Sequence, residues 1–146
     1  MKRLSAEVSG MVLSILYIAL TTPVSAAAEG IAVPAYASDS AACGMIEQEH
    51  TRGIDLWKAK NLPGALDRFK MCEAALKKRS LWMPPKLPEK ATADQIRAHR
   101  VTNSVIFSLA AVYQQMGRRS ESEQYADMAR ERGILPKVFM AGQRNR

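Results

Sequence analysis

Between Ser40 and Pro136 the chain is cut into four stretches of helical periodicity by residues that a helix interior does not accept. The cuts fall at Asn61-Leu62-Pro63-Gly64, at Pro84, Pro85 and Pro88, at Gly117, and at Gly133 with Pro136 beyond it. Proline inside a helix removes one hydrogen bond and clashes with the preceding turn, while glycine accepts the left-handed conformation that closes a helix. Helices of this length gain most of their stability from packing an apolar face, so the four must cover one another. The expected fold class is therefore all-α, with two antiparallel helical hairpins joined by a Pro-rich linker. Composition points the same way: 47% of residues are hydrophobic, enough for a core, and only 6% are aromatic.

The first hairpin is expected over residues 41–79 and the second over 94–136, with the linker at 80–93. Helix one runs from about Ala41 to Lys60. Pro63 then opens helix two, because its missing N–H is no loss in a first turn. Ala65, Leu66, Phe69, Cys72, Ala75 and Leu76 form the buried stripe of that second helix. Thr92 and Gln95 have the spacing of a capping box and open the third helix, which extends as far as Met116. Its broad apolar face comprises Ile96, Val101, Val105, Ile106, Leu109, Val112, Tyr113 and Met116. Ser120 and Glu123 repeat the capping-box spacing, which predicts a fourth helix from about Glu121 to Arg132.

Ahead of this domain, Lys2 and Arg3 precede an apolar run from Met11 to Leu20, followed by Pro23 and the small residues Ser25 and Ala26. Basic, apolar and small-residue regions in that order have the form of a secretory signal peptide, here residues 1–26 with cleavage after Ala26 or Ala28. The apolar run is about half of the ~20 residues that a membrane span requires, so no stable span is expected after cleavage. A periplasmic or secreted location follows. Residues 27–40 read as an extended N-terminal arm interrupted by Gly30 and Pro34, and residues 137–146 as a basic C-terminal tail.

The two hairpins resemble tetratricopeptide repeats, helix–turn–helix units of about 34 residues. The second carries Ile106, Leu109-Ala110, Tyr113 and Gly117, with small residues Ser122, Ala126 and Ala129 on the return helix. The first supplies Gly53, Leu56, Ala65, Phe69 and Cys72, where Gly53 and Ala65 permit close helix approach and Phe69 fills the gap. Ile106, Ala110 and Ala126 replace the usual Trp, Gly and aromatic residue, so the second copy is degenerate. Glu49 and Arg52 stand where the family has large apolar residues, as suits a terminal repeat whose outer face meets water. The resemblance implies a concave groove lined by the first helix of each hairpin: Glu47, His50, Ile54, Trp57 and Lys58, then Ser104, Phe107, Ala111, Gln114 and Gln115. Trp57 and Phe107 would be its apolar anchors or, equally, core residues. His50, Lys58 and Gln114 would orient a polar or anionic ligand. Two repeats leave their ends uncovered, so Leu81, Trp82 and Met83 of the linker, the tail residues Val138, Phe139 and Met140, a second copy of the chain in a homo-oligomer, or a partner must cover them.

These features favour a protein–protein interaction module or adaptor that binds a protein, a peptide or a partner helix. The formal charge of +7 supports an alternative, a structural envelope protein whose basic face holds an anionic polymer or membrane. Nucleic-acid binding lacks the aromatic stacking or groove-fitting helix it needs, and export removes it further. No CxxC, HxxxH or HExxH spacing occurs, no phosphate loop is present, and no cofactor, metal or catalytic residue is expected; the chain reads as a non-enzyme. Cys43 and Cys72, the two cysteines, are either bridged in a disulfide or separate thiols. With the hairpin turning near Asn61, Cys72 should lie level with about His50, which places Cys43 too far along the helix for direct bridging unless the chain bends near Gly44.

Overall fold

The computed structural model describes residues 30–134. The expected signal peptide, the first residues of the arm, and the C-terminal tail lie outside the described residues. Four helices appear in chain order: α1 (Asp39–Lys58), α2 (Leu62–Lys78), α3 (Ala93–Gln115) and α4 (Arg119–Glu131). The described part is all-helical, as the periodicity predicts.

Each helix end has an identifiable cause. Ser38 caps α1, its hydroxyl accepting from the amide of Ala41, so the helix starts two residues before the expected Ala41. Asn61 caps α2 by accepting from the amide of Gly64, with Pro63 in the first turn. The Thr92–Gln95 capping box forms in full. The second expected box does not: α4 begins at Arg119, its N-cap Arg118 contributes no side-chain cap, and Ser120 already lies inside the helix. Gly117, at φ +72°, reverses the chain so abruptly that α4 starts before Ser120 can act as a cap. Ion pairs Arg118–Glu121 and Arg119–Glu123 hold that first turn instead.

Helix directions follow from the side-chain contacts. Cys72 lies against the carbonyl of Ile46 and Arg68 against Glu49, so α2 runs antiparallel to α1. Ser122 donates to the carbonyl of Ala110 while Arg132 donates to Asn103, so α4 runs antiparallel to α3. Between the pairs, His50 meets Ser108 and Trp57 meets Gln115, both separated by 58 residues, so α1 and α3 run parallel. Helix α2 packs on both α1 and α3.

The closest approach is at Gly53. A Cβ there would lie 2.5 Å from Cε1 of Phe69, whose ring is fully buried between α1 and the rest of the core. Ile46, Leu76, Val105, Leu109 and Val112 complete the enclosed interior. Ile96, expected on the buried face of α3, is 45% exposed. Its neighbour Arg97 is already level with Ser40 near the start of α1, so the partner helix offers Ile96 no wall.

Glu73 of α2 is buried and takes hydrogen bonds from Lys70, from Lys77 at 2.7 Å and from the Tyr125 hydroxyl at 2.9 Å. Burial alone would raise its carboxyl pKa, but these three donors outweigh burial and hold it below the ordinary value. Tyr125 is pushed up to about 12, chiefly by burial. Tyr125 also stacks on Tyr113 with ring centroids 5.7 Å apart, so one cluster joins α2, α3 and α4.

The connection from Arg79 to Thr92 is pinned along its first half. Leu81 is buried, and Trp82 and Met83 pack on the core, with Lys77 over the Trp82 ring. The Thr102 hydroxyl donates to the carbonyl of Leu81 and accepts from the amide of Met83. Arg132 reaches the carbonyl of Met83, and His99 contacts that of Pro85.

Gly53→Val should lower unfolding free energy by about 2–3 kcal/mol through overpacking against Phe69. In urea titrations Phe69→Leu should restore part of that loss, and strictly additive effects would disprove the contact. Because the Glu73 pKa is depressed in the folded chain, its contribution is fully present above the unfolded carboxyl value near 4.5 and is lost as pH falls through the folded value. Stability measured from pH 7 downward should therefore fall less steeply in Glu73→Gln than in the unaltered chain.

Candidate functional site

The residues expected to line a groove all lie on α1 and α3, and the parallel packing of those helices decides what each can do. Three of the five on α1 are turned into the seam. Glu47 pairs with Arg97, at 2.5 and 3.2 Å, and the hydrogen bond from that guanidinium holds its carboxyl below the usual range. Arg97 also donates to the carbonyl and hydroxyl of Ser40. His50 meets the Ser108 hydroxyl at 2.9 Å and leans on the Phe69 ring at 5.2 Å. Burial lowers the His50 pKa, against a backbone hydrogen bond with Ser104, so the ring is neutral near pH 7. Those contacts seat the ring in the seam.

Trp57 is half-buried, its ring edge-on to Phe69 with centroids 6.5 Å apart, and its indole N–H donates to Gln115 at 2.8 Å. It packs against the core and belongs to the seam as much as to any surface. Ile54 is likewise half-buried on the core. Lys58 remains exposed, 3.9 Å from Asp55 on its own helix.

On α3, Ala111 is buried, Ser104 and Phe107 are half-buried, and Gln114 and Gln115 are exposed. Phe107 differs from Trp57 in that it stands outside the hydrophobic core cluster. A half-buried aromatic flanked along one helix stripe by Ser104, Ala111 and Gln114 offers a flat apolar contact with polar groups on either side. The accessible part of the expected groove comprises that stripe, except the buried Ala111, together with Gln115 and, on α1, Lys58 and the half-buried Ile54. Arg97 and Ser108 were not among the expected residues although both organise the seam. Ser108 had a faint signal, a hydroxyl inside the apolar run from Val105 to Val112.

The Ser108–His50 contact pairs the side-chain types of a nucleophile and its base, but Ser108 is 2% exposed. Among the described residues no group of three His, Cys, Asp or Glu side chains is placed to hold a metal ion. Among them also, no helix is long and apolar enough to cross a membrane.

Cys43 and Cys72 are free thiols, both fully buried. Cys72 lies level with Ile46, not His50, its sulfur 3.6 Å from that carbonyl. The offset along α1 from Cys43 is thus smaller than the hairpin turn suggests. Burial pushes the Cys72 thiol up to about 12, and raises that of Cys43 despite the nearby Arg97. Without reductant, iodoacetamide should therefore leave both thiols unmodified in the folded chain and label two after unfolding in guanidinium. A mass showing no labelling after unfolding would establish the bridge.

In comparisons with known proteins, the chain matches no family model, no curated protein and no solved structure.

Proposed function

We propose that this chain is an exported interaction module in which two tetratricopeptide-like hairpins present the α3 stripe around Phe107 to a peptide or partner helix. The observation that carries the reading is the order of packing. Helix α1 pairs with α2, α2 also packs on α3, α3 pairs with α4, and α1 and α3 run parallel. Stacked helical hairpins have this order, and in such arrays the first helices line the concave side. The reading is supported by small residues at helix contacts: Gly53 against Phe69 and the buried Ala65 on one hairpin, and Ala110, whose carbonyl accepts from Ser122, on the other. The linker carrying Leu81, Trp82 and Met83 supplies cover that a third repeat would otherwise provide. Export rests on the order of basic, apolar and small residues from Lys2 to Ala28.

Phe107 is half-buried and, among the described residues, does not pack on the main core cluster, so its truncation tests binding more than folding. An epitope-tagged chain should be recovered outside the cytoplasm with Ala27 or Glu29 as its first residue. A partner cross-linked to that chain should be retained in about 0.5 M salt, where surface charge attraction is screened. Phe107→Ala should reduce its capture about tenfold or more, the effect of losing an interface anchor, and leave the melting temperature nearly unchanged. Retention unaffected by Phe107→Ala but abolished by salt would overturn the groove and favour an anionic polymer held by the basic surface.

A further inference from the structure

The N-terminal arm and the end of α2 border a half-open pocket of about 350 Å³, apart from the α1–α3 seam and independent of its proposed role. Its walls are Ile31, Val33 and Ala35 from the arm and Ala75, Lys78 and Arg79 from α2 and its C-cap. The volume lies at the lower end of the range in which small ligands are held. Four of the six lining residues are apolar and the other two are cations.

The two cations are incompletely used. Arg79 donates to the carbonyls of Pro34 at 3.3 Å and Ala37 at 2.6 Å, and approaches the Asp39 carboxylate only to 3.6 Å. Its Nε is shut off from solvent with no acceptor. Lys78 is exposed and takes no part in the ion pairs that tie Lys70 and Lys77 to Glu73. Asp39 therefore offsets Arg79 at ion-pair range, whereas Lys78 has no carboxylate partner among the described residues.

We propose that this pocket binds a small amphiphile with one carboxylate, its alkyl chain lying on Ile31, Val33, Ala35 and Ala75 and its head group between Lys78 and Arg79. An aliphatic body suits the lining, since no aromatic ring faces the pocket. A carboxylate suits the head, since the guanidinium fork and an ammonium are its ordinary partners. Arg79 also fastens the arm, so the ligand and the arm share one anchor: occupancy bridges arm and helix and protects the arm from proteolysis.

Sodium octanoate is the probe, titrated into the full chain and followed by ligand-observed NMR. Roughly ten non-hydrogen atoms at ordinary small-ligand efficiency give a dissociation constant on the order of 1 mM. Octan-1-ol and octylammonium, with the same chain and no anionic head, should bind about tenfold more weakly or not at all. Ala75→Leu fills the cavity and should abolish octanoate binding. Lys78→Glu, at an exposed position that folding does not depend on, should weaken it about tenfold. Absence of octanoate binding up to about 10 mM, equal binding of the alcohol, or binding undiminished in Lys78→Glu would each overturn the site.

Discussion

At Gly53 the missing side chain lets the ring of Phe69 sit against the α1 backbone, and the remaining seams are aligned from that point. Because the ring enters so deeply, His50 and Trp57, one turn to either side of Gly53, both rest on it. Their polar edges then face α3, where Ser108 and Gln115 receive them. A steric vacancy on one helix thus becomes the register of another. Overpacking that vacancy would disturb the first hairpin and the stacking of the second upon it together, because the same ring serves both contacts.

A second anchor works through charge. Glu73 is buried without being isolated: Lys70, Lys77 and Tyr125 satisfy it, and the tyrosine brings α4 into contact with α2 across the face of α3. Such a network costs desolvation and is favourable only while every donor stays in place. It therefore specifies where α4 docks more than it adds stability. The linker completes this side, since Thr102 and Arg132 fix the backbone from Leu81 to Pro84 and so hold Trp82 over the helices. Prolines that exclude helix in this segment also stiffen it, reducing the entropy lost when it docks.

What remains accessible is accordingly narrow. Three of the five α1 side chains that a concave groove would present are engaged with α3, and the stripe around Phe107 is the surface proposed to meet a partner. The opposite N-terminal corner has a different chemistry, with arm, α2 and two cations around a small apolar pocket. A flat aromatic contact and a half-open apolar pocket edged by cations suit different ligands, so the two surfaces need not serve the same event.

Local sequence determined the helices and most of their ends. Thr92 with Gln95, Asn61 with Pro63, and the glycines at 117 and 133 act within a few residues of themselves, so their effects are legible without the fold. The pairing of Gly53 with Phe69 was legible through the resemblance to tetratricopeptide repeats, which implies that Phe69 fills the gap left by small residues. Ser120 and Glu123 had the same local signature as Thr92 and Gln95 and formed no cap, since the tight turn at Gly117 had already started the helix. Only the tertiary structure decided that Glu47, His50 and Trp57 close the α1–α3 seam while Phe107 is left half-buried beside the main core cluster, and that Arg79 holds the arm. The reason is physical: capping and periodicity depend on neighbours along the chain, whereas the exposure and partner of a side chain depend on which helix comes to lie opposite it.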